Sequence, residues 1–172
     1  IGGFELDCSA FSGCTSLKEI RLPKNLERMD NYAFSGCSAL EKVEFPEKLH
    51  YIAVGCFAGC SALKRIELPN NFTYIESEAF LACTSLEEVV LPSELGAIDA
   101  DAFYGCASLK EITIPAKVES LGNPWLYQDG YTFGGCTSLE KVTILGKVKK
   151  IDQHLFENCT SLKEVILPDS VT

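Results

Sequence analysis

Residues 103–114 read FYGCASLKEITI, and the same pattern is found at residues 34–45, FSGCSALEKVEF, and at residues 156–167, FENCTSLKEVIL. Each segment has a phenylalanine, a cysteine three residues later and a leucine three residues after that, followed by alternating polar and apolar residues. The Phe-x-x-Cys pair occurs seven times along the chain. A unit that recurs at a fixed period of about 20–50 residues indicates a solenoid or another array of repeats.

The seven copies are 23 residues apart, except for one interval of 30 residues. We number the coils 1 to 7 by their phenylalanines, which are Phe11, Phe34, Phe57, Phe80, Phe103, Phe133 and Phe156. We call the residues at one repeat position a column. A single unit is too small to bury its own apolar side chains, so stacked units bury them against one another in continuous columns.

Each coil contains one predicted strand and one predicted turn. Residues 19–22 read EIRL, which alternates polar and apolar side chains as a strand with one buried face does. Pro23 follows and ends the strand, because proline has no N–H for a strand ladder. The chain then crosses through the apolar residues Leu26 and Met29 and returns through a compact turn, residues 33–37 in coil 2.

The residue after each repeat leucine changes sign at every coil. Because parallel strands stack about 4.8 Å apart, each of these charges has opposite charges above and below it, which disfavours slips of register. The alternation continues from Lys110 to Glu140, across the long interval. The seven additional residues are therefore predicted to loop out, as an insertion at residues 122–131. The column consists of Lys18, Glu41, Lys64, Glu87, Lys110, Glu140 and Lys163.

The repeat C-x-x-L-x-x-I-x-L-P-x-x-L-x-x-I, followed by A-F-x-x-C, resembles the BspA-type (Treponema-type) leucine-rich repeat over essentially the whole chain. The resemblance implies a leucine-rich-repeat solenoid, an α/β or mostly-β superhelix of about seven 23-residue coils with a parallel β-sheet on its concave face. Residues 1–172 are expected to form a single solenoid that is a piece of a longer array. As in the BspA-type pattern, the asparagine ladder of common leucine-rich repeats is absent, since Lys48 and Glu94 stand at its position.

The nine cysteines are predicted to be free thiols. The seven of the cysteine column and Cys56, which precedes Phe57, are predicted to be buried, and Cys8 to be exposed. Zinc ligands come in closely spaced pairs, whereas these cysteines recur every 23 residues. Thiols that point in parallel have poor geometry for disulfides, and a free cysteine packs as a small apolar residue. Free thiols indicate a reducing or anaerobic setting, whereas the family resemblance implies the bacterial cell surface or the extracellular space.

Composition and motifs exclude several classes of function. A net charge of −9 disfavours binding to nucleic acids or to anionic membranes, and no apolar run is long enough for a membrane span. The sequence has no nucleophile elbow, no phosphate-binding loop and no metal-ligand spacing. His50 and His154 are too far apart to share a site. We therefore expect no catalytic residue, no metal site and no cofactor.

Two features are candidates for protein binding. An outward strand column is charged in its first three coils and then continues as Val90, Thr113, Thr143 and Ile166, and exposed apolar residues often mark contact sites. The insertion carries Trp125, Tyr127 and Tyr131, and aromatic side chains are enriched at the energetic centres of interfaces. Both features have plainer explanations: sequence drift on a tolerant surface, and a loop whose tryptophan folds back onto the solenoid.

The function expected from these observations and from the resemblance is a non-catalytic protein–protein interaction module of a bacterial, adhesin-like surface protein. Its partner would be a protein of a host cell, of a neighbouring cell or of the extracellular matrix. The alternatives are a structural spacer and a regulatory solenoid segment, each attached to another functional domain. One fold of this kind serves unrelated partners, so the sequence names no ligand.

Overall fold

The computed structural model describes residues 4–122 and 130–171. In this part of the chain, thirteen short β-strands and no helix form a parallel solenoid of about seven turns. The predicted fold class is confirmed, in its mostly-β form. Each coil contributes one strand to a first row and, in most coils, a second strand to a row on the returning side.

The first row contains the strands that the repeat predicts, and we call them face strands. They pair in parallel, with Ile112 beside Val142 and Val142 beside Val165. The hydrogen-bonded ladder is interrupted between coils 2 and 3 and between coils 4 and 5. The face strands are β2 (Glu19–Arg21), β4 (Lys42–Glu44), β6 (Arg65–Glu67), β8 (Glu88–Val90), β10 (Glu111–Ile114), β12 (Lys141–Ile144) and β13 (Glu164–Ile166).

The second row was not predicted as strands, and we call its members back strands. The sequence analysis identified Leu26 and Met29 only as apolar crossing positions, whereas both lie in a strand and are buried. Four of the back strands have only two residues, too few for an alternation to be recognised. In the four-residue strand Leu26–Met29 the buried residues are three positions apart, which does not match the period of two expected of a strand. The back strands are β1 (Phe4–Leu6), β3 (Leu26–Met29), β5 (Tyr51–Ile52), β7 (Tyr74–Ile75), β9 (Ala97–Ile98) and β11 (Ser120–Leu121).

The phenylalanine column forms the centre of the core. Its rings stack between successive coils with centroid distances of 5.3 to 5.8 Å and interplanar angles of 2° to 15°. The five rings from Phe34 to Phe133 have no exposed surface, whereas Phe11 and Phe156 in the first and last coils are partly buried. Each ring is therefore buried by the coils on both sides of it, as the repeat requires.

The cysteine column lies beside these rings as free thiols. From Cys37 to Cys159, each thiol donates a hydrogen bond to the carbonyl oxygen of the phenylalanine in the preceding coil, at Sγ–O distances of 3.1 to 3.3 Å. Burial raises the pKa of Cys60 and of Cys136 to about 12. The predicted burial is confirmed for these six residues.

The structure also shows whether the remaining three cysteines are buried. Cys8 is exposed and Cys56 is buried, as predicted. The prediction was wrong for Cys14, which is exposed. Cys14 belongs to coil 1, and the described residues before it do not form a full coil that could cover its thiol.

The stack continues in register on both sides of the long interval. Glu111 of β10 pairs with Lys141 of β12, and the rings of Phe103 and Phe133 lie 5.5 Å apart. Residues 123–129 lie outside the described residues, and so do the candidate residues Trp125 and Tyr127. The looped-out insertion therefore stays a prediction.

Candidate interaction surface

The face strands present two columns of side chains outward. In the face strands of coils 1 to 6 the middle residue packs toward the core, as Ile66 and Val142 do with no exposed surface, and the residues on either side of it point outward. In β13, the last face strand, Val165 is also exposed, together with Glu164 and Ile166 on either side of it. The first outward column consists of Glu19, Lys42, Arg65, Glu88, Glu111, Lys141 and Glu164. The second outward column consists of Arg21, Glu44, Glu67, Val90, Thr113, Thr143 and Ile166.

The four candidate residues of the second column lie on this one face. Val90 and Ile166 expose 36% and 42% of their surface, which is high for apolar side chains. Thr113 pairs with Thr143, and Thr143 pairs with Ile166, so these three form a continuous row. Val90 pairs with Glu67 instead, and the interrupted ladder separates its strand from that of Thr113.

The remaining described candidate, Tyr131, lies in the turn before Phe133. Its ring stacks on His154 at a centroid distance of 4.9 Å and meets Tyr104 edge to face at 6.0 Å. Its backbone N–H donates a hydrogen bond to Oδ1 of Asp101 at 3.1 Å. The structure therefore places Tyr131 among turn residues of coils 5 to 7, in an aromatic group that includes the exposed Tyr104.

A groove of about 1160 Å³ lies on the face strands of coils 2 to 4, and the sequence analysis did not find it. Its floor includes the outward residues Lys42, Glu44, Arg65 and Glu67, and Val90 lies at its edge in coil 4. The groove thus covers the charged part of the face, whereas the sequence analysis favoured the part that is poor in charge. Val90 is the one residue that belongs to both.

The charges in the groove pair within strands and across one strand boundary. Lys42 pairs with Glu44 of its own strand, which lowers the pKa of the Glu44 carboxyl by a hydrogen bond and by charge attraction. Arg65 contacts Glu67 at 2.7 Å and Glu88 of the next coil at 2.9 Å. The hydrogen bonds to both carboxylates raise the pKa of Arg65.

Apolar residues line one rim of the groove beyond the ends of these strands: the half-buried Phe45, Pro69 and Leu91, and the buried Leu68 and Pro92. Phe45 stands where most other coils have leucine or isoleucine. Its ring lies edge-on at 5.8 Å from Phe57 and at 5.6 Å from Phe72, both in coil 3. The groove therefore has a charged floor and one apolar rim.

The alternating charge column beside the face strands forms ion pairs at two of its neighbouring positions. Lys110 lies 3.5 Å from Glu87, and Lys163 lies 2.9 Å from Glu140. All these side chains are largely exposed, and exposed ion pairs contribute little to the free energy of unfolding. The alternation of sign along the column still disfavours a slip of register, because a slip by one coil would place like charges next to each other.

The described residues contain no group of three or more acidic, histidine or cysteine side chains placed to hold a metal ion. His50 is exposed, with Nδ1 at 3.2 Å from the carbonyl oxygen of Asn71, and His154 pairs with Glu157. Residues 4–122 and 130–171 contain no helix that is long and apolar enough to cross a bilayer.

The sequence and the fold were compared with known proteins. The chain matches the family model of the BspA-type leucine-rich repeat region, in six copies, over residues 5–131 and 127–172. A comparison with curated proteins gave no match. Among solved structures, the T. pallidum leucine-rich repeat protein is 30% identical, with a TM-score of 0.66 over 96% of this chain and 64% of that one.

Two further solved structures are more distant. A leucine-rich repeat protein from Bacteroides ovatus is 24% identical, with a TM-score of 0.45 over 98% of this chain and 65% of that one. A leucine-rich cell surface protein from Faecalibacterium prausnitzii is 21% identical, with a TM-score of 0.45 over 95% of this chain and 69% of that one. The chain spans 64% of the T. pallidum protein's length. With the family model matched over nearly its whole length, the chain belongs to the BspA-type leucine-rich repeat family.

Proposed function

We propose that this chain is a non-catalytic protein–protein interaction module of a bacterial cell-surface, adhesin-like protein. Its partner is a protein of a host cell, of a neighbouring cell or of the extracellular matrix. The observation that carries the proposal is the uncovered face of the solenoid, where two outward columns run over seven face strands. Such a surface offers a long row of positions that vary independently of the core.

The exposed apolar residues on this face support a role in binding. Val90 and Ile166 expose more than a third of their surface beside the threonines of coils 5 and 6. Exposed apolar patches on a folded protein mark contact sites more often than chance. We propose that Trp125 and Tyr127, together with Tyr131, form a second contact, because a few aromatic residues usually dominate an interface.

Cell-binding measurements test the proposal with matched variants. The labelled chain is applied to cultured epithelial cells and to a panel of immobilised matrix proteins. Val90→Glu/Thr113→Glu changes the face, and Trp125→Ala/Tyr127→Ala changes the insertion. Ser93→Glu/Ala116→Glu is the control for the face variant, because it adds the same charge to the same two coils at exposed positions three residues further on.

We expect at least one of the two test variants to lose binding, whereas the control variant binds as the parent does. If the parent binds and both test variants bind equally well, neither surface is the site. If the parent binds none of the cells or proteins, the spacer alternative is favoured.

A further inference from the structure

Like charges face each other in both outward columns across one boundary of the face strands, that of coils 2 and 3. At the boundary of coils 4 and 5 only the first column repeats a sign, with Glu88 followed by Glu111. Lys42 and Arg65 occupy the first outward column in coils 2 and 3, and Glu44 and Glu67 occupy the second outward column in the same coils. At the adjoining boundaries the charges are opposite, since Glu19 pairs in register with Lys42 and Arg65 with Glu88. Like charges directly opposite each other on neighbouring strands are destabilising.

The strand ladder is interrupted at this same boundary. Strand β4 pairs with β2 and strand β6 pairs with β8, but β4 and β6 belong to separate hydrogen-bonded sheets. All four charged side chains line the groove described above. Coils 2 and 3 therefore present two neighbouring cations, Lys42 and Arg65. Two residues further along the same strands they present two neighbouring carboxylates, Glu44 and Glu67.

The ion pairs that these four side chains form within the protein are weak enough for the charges of a partner to replace them. Lys42 pairs with Glu44 and Arg65 with Glu67, each within one strand, and Arg65 also pairs with Glu88 of the next coil. All five side chains are at least half exposed. Exposed ion pairs of this kind are weak. A partner that brings an anion to the two cations and a cation to the two carboxylates replaces both like-charge contacts with opposite-charge contacts.

We propose that the groove binds an extended segment of a partner protein that carries an acidic residue and a basic residue two positions apart. The acidic side chain lies between Lys42 and Arg65, and the basic side chain lies between Glu44 and Glu67. This inference rests on the proposed function and specifies the partner's chemistry on the same face. It assigns the binding to coils 2 to 4, next to Val90.

The spacing follows from strand geometry. Residues i and i+2 of an extended chain lie on one side and are about 6.6 Å apart, whether they belong to the groove or to the ligand. A segment that lies parallel or antiparallel to β4 and β6 therefore matches the separation of the two charge pairs. Adjacent acidic and basic residues point to opposite sides of an extended chain, so they cannot satisfy both pairs.

The apolar rim specifies a third feature of the ligand. Phe45, Pro69 and Leu91 are half-buried and line the end of the groove beyond the carboxylates, whereas Val90 pairs in register with Glu67 at the side of the groove. An apolar ligand side chain on the same side as the two charges and next to the basic residue reaches this rim. The expected ligand pattern is therefore acidic-x-basic-x-apolar, or its reverse in the opposite chain direction.

Peptide selection tests the inference. A phage-displayed library of random linear peptides is selected on the whole chain at low salt, and the affinities of enriched synthetic peptides are then measured. We expect peptides with the acidic-x-basic spacing. Their affinity should fall roughly tenfold or more with Lys42→Gln/Arg65→Gln and with Glu44→Gln/Glu67→Gln, and again at high salt.

Two controls complete the experiment. Lys141→Gln removes a cation from the first outward column of coil 6, outside the groove, and should leave the affinity unchanged. A peptide in which the acidic and basic residues are made adjacent should bind at least tenfold more weakly. Circular dichroism and thermal unfolding confirm that each variant is folded like the parent.

The outcomes separate this inference from the proposed function. If the enriched peptides lack the spacing, or bind both double variants as they bind the parent, the inference is wrong. If these enriched peptides nonetheless lose affinity for the Val90→Glu/Thr113→Glu variant, the face is still a binding surface and the proposed function stands. If no peptide is enriched, the inference is also overturned, and the proposed function then depends on the cell-binding measurement alone.

Discussion

One backbone conformation recurs at the residue before each column cysteine. This residue has a positive φ in all seven coils, between 55° and 73°. Glycine adopts this left-handed conformation without steric cost, whereas other residues are strained in it by about 1–2 kcal/mol. Five coils have glycine there, but coil 4 has Ala82 and coil 7 has Asn158. The recurrent glycine of the repeat is therefore required by the turn.

Ala82 and Gly105 provide a reciprocal test of this cost. Ala82→Gly should raise the free energy of unfolding by about 0.5–1 kcal/mol, because it relieves the strained φ of 55°. Gly105→Ala should lower it by about 1–2 kcal/mol, and the cause is φ alone, since the added Cβ would meet only Ala82 backbone atoms at ordinary distances of 3.7 Å and more.

Urea unfolding measures both changes. Ala107→Gly is the control, because Ala107 lies two residues after Gly105 in the same turn and is not among the residues with positive φ. Ala107→Gly should lower the free energy of unfolding by about 0.5–1 kcal/mol, because glycine loses more conformational freedom on folding than alanine does. A destabilising effect of Ala82→Gly as large as that of Ala107→Gly would contradict the assigned strain.

The buried thiols of the cysteine column, from Cys37 to Cys159, should be unreactive in the folded protein. Burial raises their pKa, so little thiolate is present at neutral pH, and each S–H is held on a phenylalanine carbonyl oxygen. A bulky thiol reagent should therefore modify Cys8 and Cys14 quickly in the native protein and reach the other seven cysteines only after unfolding. Mass spectrometry of the modified peptides identifies the sites. Rapid native modification of Cys83 or Cys106 would contradict the structure.

At the scale of the element, the face strands were predictable and the groove was not. A β-branched or other apolar residue between two polar ones, followed by proline, is enough to predict strands such as β2 and β6. The groove is lined by residues from neighbouring coils, among them Lys42, Arg65 and Phe45. Reading one column at a time shows that Val90 is apolar, but it does not show that Lys42 and Glu44 contribute to the same surface.

The insertion can be tested as an element of its own. The face strands on its two sides pair in register, from Glu111 with Lys141 to Ile114 with Ile144. If the inserted residues are outside the stack, deletion of residues 123–129 restores the interval of 23 residues and leaves the neighbouring coils paired. We expect a folded protein whose urea unfolding remains cooperative. The matched control deletes seven residues, 77–83, from the turn of coil 4, where the intervals on both sides are 23 residues, and should not fold.

At the scale of the whole molecule, stability is a sum of contacts between neighbouring coils. Each coil contacts only the coils next to it, so an interior coil has two interfaces and an end coil of the described solenoid has one. The phenylalanine column follows this rule, since Phe80 has no exposed surface and Phe156 is partly buried. The stacked rings also couple neighbouring coils, because each ring packs against the ring before it and the ring after it.

Truncation of two column phenylalanines tests this account. Phe80→Ala removes a ring that stacks on Phe57 at 5.6 Å and on Phe103 at 5.3 Å, and it should lower the free energy of unfolding by about 3–5 kcal/mol. Phe156→Ala removes a ring that stacks on Phe133 alone, at 5.8 Å, and should cost clearly less. Urea unfolding gives the two free energies, and Phe80→Leu, which keeps most of the apolar volume, is the control.

Native-state hydrogen exchange should then show faster exchange in coil 7 for Phe156→Ala and in all coils for Phe80→Ala. Equal losses for the two alanine variants would show that the solenoid unfolds as one unit whose stability does not depend on the number of neighbouring coils.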